Sequence, residues 1–503
     1  MPADRIDPEF RALPLPALAD AALSRARELG AQHADLRVER IVSQGIDLRD
    51  GSVTGVSDTT TVGLAVRVIV DGVWGFASHV ELTPERAAAT AERAVAVART
   101  LAPVARERVV RADEPVYARA EWVSAYDVDL FTVPTRDKVA LLTEWSQRLL
   151  ASDGVDHVHA AVEQVRENKF YADTAGTSTV QQRVRVGPSV VATAVDRAAG
   201  GFETMASLAP PAGRGWEYLT GQGWDFDDEL ARLPELLAEK VKAPSVAAGA
   251  YDLVIDPTNL WLTIHESVGH ATEYDRAIGY EAAYAGTSFA TPDLLGTLRY
   301  GSELMHVTGD RTVPHGLATV GYDDDGVATT EWDLVRDGVL VGYQLDRTFA
   351  PRLGLERSNG CAFADSPHHV PIQRMANVSL QPDPVRDTSV DELIAGVDRG
   401  IYVVGDKSWS IDMQRYNFQF TGQRFYRIEG GKLAGQLRDV AYQATTTDFW
   451  GSMDAVGGPS TWQLQGAMNC GKAQPGQVAA VSHGCPAARF RGVNVLNTQE
   501  EGR

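Results

Sequence analysis

Two histidines stand five residues apart in the segment IHESVGHATEYD, Ile264 to Asp275, and that spacing restricts the backbone that can carry them. Just upstream, Asp256 followed by Pro257 makes a strong helix start. The carboxylate caps the first turn, and proline has no amide hydrogen to leave unsatisfied. The helix predicted from there runs through NLWLTIHESVGHATEY, with Leu260, Ile264 and Val268 forming a stripe that can pack. Successive helical residues are about 100° apart, so histidines at i and i+4 diverge by about 40° and can reach one ion together. His265 and His270 lie at i and i+5, about 140° apart on an ideal helix. For the two imidazoles to meet, the helix must widen into a π-type turn or end near Gly269. Beyond that break, His270 and Glu273 share a face.

These residue types point to metal chemistry. Glu266, beside His265, is placed to take a proton from a metal-bound water whose pKa the ion lowers. A third ligand is missing from the segment. NCGKAQPGQVAAVSHGCP, Asn469 to Pro486, carries Cys470, His483 and Cys485, and SNGCAFADSPHH sets Cys361 beside His368 and His369. A His/His/Cys set leaves a fourth zinc position open for water, as a catalytic site requires. A buried cysteine also serves as a small hydrophobe, so spacing does not rank the three thiols. Glu273 and Asp275 are candidates to orient a ligand histidine. Tyr274, His306, Arg311 and His315 are candidates for a further donor at a reacting carbonyl.

The rest of the chain sets the frame. Its 503 residues exceed one ordinary domain, and 44% hydrophobic with 23% charged residues reads as globular. A net charge of -20 argues against nucleic acid or an anionic membrane as the general partner. Three cysteines are too few for a disulfide framework, and no run has the length of a signal-peptide core or a membrane span. A cytoplasmic protein is expected.

The fold class expected is α+β: an N-terminal α/β domain over 1-215, a helix and linker over 216-249, and a mostly antiparallel β-sheet domain over 250-503 carrying the metal-site helix. Helices are predicted over Pro16 to Ala31, from Thr83-Pro84 through ERAAATAERAVAVART, and across RDKVALLTEWSQRLLAS. Between the first two, several short strands are expected, with hairpin turns at Asp50-Gly51 and Asp71-Gly72. The tail TQEEGR beyond Asn497 is expected to fray.

HESVGHATEYD resembles the motif of the TldD/PmbA family of metallopeptidases. GLAVRVIVDGVWGFAS, VTGDRTVPHGLATVGYDDDGV, GYQLDRTFAPRLGL, RMANVSLQPD, VDRGIYVVGD and NCGKAQPGQ follow the same family order, so the resemblance spans nearly the whole chain. It implies a zinc-dependent peptidase acting on small unfolded peptides, with Zn2+ held by His265, His270 and Cys470 and with Glu266 as general base. It also implies a two-subunit assembly, either a homodimer or a heterodimer with a related family member. Three places depart from the family pattern: Cys361, the pair His483 and Cys485, and the stretch DKSWSIDMQRYNFQF. The rival readings are a non-catalytic scaffold or partner subunit, a different metal hydrolase, a thiol-redox enzyme using Cys470 and Cys485, and a binding module acting on a large protein partner.

Overall fold

The computed structural model describes residues 6–196, 201–472 and 476–499, so the last residues of the tail expected to fray lie outside the described part. Strands His33–Arg49, Ser52–Val70 and Val73–His79 form an antiparallel meander. Its two turns are the predicted ones. Asp50 and Gly51 have φ of 52° and 75°, and Asp71 and Gly72 have 52° and 69°, the left-handed pairs that match strand twist in two-residue hairpins. His33–Arg49 pairs on its other edge with His157–Asp173, which pairs with Ser178–Asp196. Ala120–Val123 and Gly201–Ala206 complete a seven-stranded sheet.

The expected short strands are in fact long, up to 19 residues. Over the second half of Ser52–Val70 the pattern is hidden by burial on both faces. Every residue from Gly63 to Val70 is buried, so alternation disappears there. Helices Leu15–Glu28 and Pro84–Leu101 pack on one face. Polar residues of the sheet meet the C-terminal half instead, as where Lys169 Nζ donates to Asp324 and to the Ala364 carbonyl, both at 2.8 Å.

The C-terminal half is built on a closed ring of five strands. Going round, these are Arg399–Ile411, Gly249–Ile255, Ala488–Asn497, Val440–Thr445 and Asn417–Glu429, which pairs back to the first. One pair is parallel and the others are antiparallel. The architecture is therefore α+β, with the later β-rich region carrying a helix-associated ligand cluster.

Helix Pro257–Ile264 leaves the ring directly from Gly249–Ile255. Asp256 caps it as predicted, accepting from the Thr258 amide at 3.0 Å. All eight helical residues are buried. Leu260, Ile264 and Val268 are each fully buried in one core cluster, about 1.5–3 kcal/mol of burial apiece. The hairpin Gln463–Lys472 with Gln477–Cys485 packs against this helix, and strand Asn377–Leu380 lies against the hairpin. Among the described residues no helix is long and apolar enough to cross a membrane.

Candidate metal centre

The α-helix ends at Ile264, and residues His265–Gly269 form a π-turn. The His270 amide donates to the His265 carbonyl, five residues back, at 3.0 Å. This is the widened turn that the i, i+5 spacing demanded, and it brings the two imidazole centroids to 4.7 Å. The helix does not continue through Tyr274 as expected; it resumes only as the single turn Tyr274–Ala277. Side chains satisfy carbonyls of the widened turn. Gln344 Nε2 donates to the Gly269 carbonyl at 2.7 Å, and the Tyr300 hydroxyl donates to that of Ser267. Gly269 is required by close approach, since a Cβ there would lie 2.7 Å from the Met375 sulfur.

Cys470 reaches this turn from 200 residues away. Its strand, Gln463–Lys472, slips register against the partner strand between Ala467 and Cys470, a bulge of the kind that re-aims a side chain. Cys470 Sγ lies 3.7 Å from His270 Nε2. One donor atom from each of His265, His270 and Cys470 falls within 4.8 Å of the others, and all three residues are buried. Two imidazoles and a thiol converging without a covalent partner make a cluster able to chelate a metal. The other two thiols lie elsewhere. Cys485 Sγ contacts the Pro257 carbonyl at 3.6 Å, and burial pushes its thiol well up. Cys361 sits beside Asn359, its thiol pushed up to about 12 by burial.

The surroundings tune the three donors. His270 Nδ1 lies 2.9 Å from Glu273, which fixes that nitrogen as the donor and leaves Nε2 toward Cys470. Burial alone would raise the Glu273 carboxyl, but Lys472, His270 and Arg276 hold it well below the usual carboxylate range. Lys472 is fully buried and also pairs with Asp275 at 2.8 Å. Of the two carboxylates proposed to orient a ligand, Glu273 does so and Asp275 instead pairs with the lysine. Burial raises the Cys470 thiol, yet His270 and Arg374 bring it below its ordinary value, toward the thiolate that binds metal. Arg374 Nη2 donates to the Cys470 carbonyl at 2.6 Å. His265 Nδ1 lies 2.7 Å from Nε2 of a third imidazole, His483.

Glu266 is placed differently from expectation, and this corrects the reading of a zinc peptidase for small unfolded peptides with Glu266 as general base. The donor set that converges is His265, His270 and Cys470, not a His-Glu-x-x-His zinc-protease motif with a catalytic glutamate. The Glu266 carboxylate is committed to Arg415, whose Nη1 donates to it at 2.7 Å. Burial would raise that carboxyl, but His270, His265 and Arg415 hold it below its ordinary value, and the Trp409 indole adds a hydrogen bond.

The cluster opens on a cleft of about 620 Å³ whose lining includes Trp261, Glu266, Lys407, Trp409 and Arg415. Arg415 has a left-handed φ of 63°, uncommon for a side chain of this size. Sequence reasoning missed Arg415, Trp409, Lys472 and the contact of His483; the signals were that Trp409 and Arg415 fall in the departing stretch DKSWSIDMQRYNFQF, that His483 is itself a departure, and that Lys472 lies in the block NCGKAQPGQ. The four candidate carbonyl donors do not line the cleft. Tyr274 packs on Tyr343 and Phe349, His306 is half-exposed beside Asp337, Arg311 lines a small buried cavity with Asp323, and His315 contacts the Gly213 carbonyl.

Comparison with known proteins agrees with this frame. Residues 248–497 match the PmbA/TldA metallopeptidase C-terminal domain, and residues 34–98 match the PmbA/TldA metallopeptidase domain 1. A metalloprotease of Methanothermobacter thermautotrophicus is 28% identical over 471 residues, covering 93% of this chain and 96% of that one. A zinc metalloprotease TldD homolog of Saccharolobus solfataricus is 23% identical over 478 residues, covering 94% and 98%. Among solved structures, a Thermotoga maritima protein shares the fold with a TM-score of 0.75 at 16% identity, covering 96% of this chain and 100% of that one. TldE from Thermococcus kodakarensis shares it with a TM-score of 0.70 at 15% identity, covering 95% and 99%.

Proposed function

Because the chain belongs to the TldD/PmbA metallopeptidase family, we propose that it is a metal-dependent hydrolase centred on His265, His270 and Cys470, and of a kind that does not use Glu266 as its base. The convergence of these three buried donors carries the reading. Zinc is the metal their chemistry favours: two imidazoles and one thiolate suit it and leave a coordination position open. When bound, such an ion supplies a polarised acyl oxygen and an acidified water. The chain's own contribution is positional. Glu273 orients His270, Arg374 holds the backbone of Cys470, and Arg415 fixes Glu266 against the wall of the cleft. The name metalloprotease carried by its relatives puts amide bonds first among those to test.

A second reading has an observation of its own. Glu266 pairs with Arg415, and Glu273 pairs with Lys472 and Arg276, so these carboxylates beside the cluster are engaged, which suits a partner subunit that binds metal without turnover.

One experiment separates these. Purified wild-type protein is expected to hold about one zinc per chain and to cleave members of a panel of amide and ester substrates; Cys470→Ser is expected to lose both properties. Zinc without turnover would favour the partner subunit, and absence of stoichiometric metal would remove the site altogether. Glu266→Gln is expected to keep the metal and to retain activity within about tenfold. A fall on the scale of a lost general base, about 100- to 10,000-fold, would return Glu266 to that role.

A further inference from the structure

We propose that His483 is a positioning residue that sets which nitrogen of His265 is free to bind metal, through a chain of hydrogen bonds that starts at the backbone carbonyl of Val378. The inference rests on the reading of His265 as a metal ligand.

The direction of the chain follows from its first link. A carbonyl oxygen only accepts, so the 2.8 Å contact between His483 Nδ1 and the Val378 oxygen requires the proton on Nδ1. His483 is fully buried, and its two hydrogen-bond partners are a backbone carbonyl and an imidazole with no carboxylate among them, so the ring is neutral and its Nε2 is a lone pair. That lone pair lies 2.7 Å from His265 Nδ1, which must then be the donor. The outcome is a His265 ring protonated on Nδ1, with Nε2 carrying its free lone pair. His270 reaches the same tautomer through Glu273. One ligand is therefore oriented by a carboxylate and the other by a neutral imidazole tied to a strand.

The surroundings hold this arrangement rigid. His483 is fully buried, and the Trp261 indole stacks on it at 6.0 Å with an interplanar angle of 19°. Its strand, Gln477–Cys485, packs against Asn377–Leu380, the strand that supplies the carbonyl. His483 has no nitrogen left for the metal, because both are used. It belongs behind the donor set, where partners of ligand histidines fix ring orientation and raise ligand basicity.

The test reads the tautomer and the metal separately. In metal-free wild-type protein labelled with ¹⁵N-histidine, long-range ¹⁵N–¹H correlation spectra are expected to place the His265 proton on Nδ1; a proton on Nε2 would overturn the proposal. That result does not depend on whether the wild type binds zinc, so failure of the metal reading is seen separately in its zinc content. His483→Phe keeps a flat ring but removes the acceptor. It is expected to weaken zinc, measured by chelator competition, by about 10- to 100-fold and to change the visible spectrum of the Co²⁺-substituted protein. His483→Gln offers a carbonyl oxygen in place of Nε2 and is expected to recover most of the affinity. Equal zinc affinity in wild type and in a folded His483→Phe would overturn the proposal, as would equal losses in the Phe and Gln variants.

Discussion

Two buried polar regions of this molecule use the same residue types to opposite ends. Where the N-terminal sheet meets the C-terminal half, opposite charges close on each other. Glu167 accepts from Arg183 at 2.9 Å and from Arg185 at 2.8 Å, and Arg67 is shared between Asp35 and Asp325. Around His270 the ion pairs are just as buried, with Lys472 between Glu273 and Asp275. There, however, the network ends on imidazole and thiol donors that face one another instead of an opposite charge. The first region spends its polarity on joining two parts of the chain. The second keeps three donors in reserve, and that surplus marks it as a site. Buried charge alone would not have told the two apart.

The largest effects expected would break this contrast if they failed to appear. Glu167→Gln leaves two buried guanidinium groups short of a partner. It is expected to cost about 3–5 kcal/mol in urea unfolding while leaving zinc affinity unchanged. Cys470→Ala is expected to do the reverse, with zinc affinity falling by at least about 100-fold and metal-free stability shifting far less. Similar profiles for the two variants would mean that the regions are not functionally distinct.

A smaller effect sharpens the role of the π-turn. Gly269→Ala forces a methyl against Met375, an overpacking worth about 1–3 kcal/mol, and is expected to reduce zinc affinity as the turn shifts. Unchanged stability and affinity would show that Met375 yields freely.

A further effect is a pH dependence in the joining region. Burial raises the Glu39 carboxyl to about 7 and that of Asp323 to about 8. Each group keeps its proton in the folded state at pH values where the unfolded chain has lost it. Their contribution to stability is therefore present below the ordinary carboxylate range and lost as pH rises toward 7 to 8. Glu39→Gln is expected to flatten the urea midpoint between pH 5 and pH 7, roughly the interval that this shift spans. An unaltered profile would show that Glu39 is ionised throughout.

How much of this was legible varies with how local the cause is. The turn at Asp50-Gly51, the cap at Asp256 and the need for a wide turn between His265 and His270 each depend on a few adjacent residues, and each could be read directly. Strand length could not. Ser52–Val70 passes through Gly55 and Gly63, and its alternation fades where a distant segment covers the second face. The choice of Cys470 over Cys485 depends on a bulge and on packing across 200 residues, so thiol spacing carried no information about it. The salt bridge that commits Glu266 spans 149 residues and begins at an arginine with unusual backbone geometry. Beside His265 in sequence, that glutamate looked free.

The wide separation of the ligands also has a consequence in time. A chain being synthesised carries His265 and His270 long before it carries Cys470, and the ring that supports their helix closes only with strand Ala488–Asn497. Until then a nascent chain offers at most a loose histidine pair. Any metal loading is thereby tied to synthesis through strand Ala488–Asn497, and a product terminated before that strand would have no assembled centre.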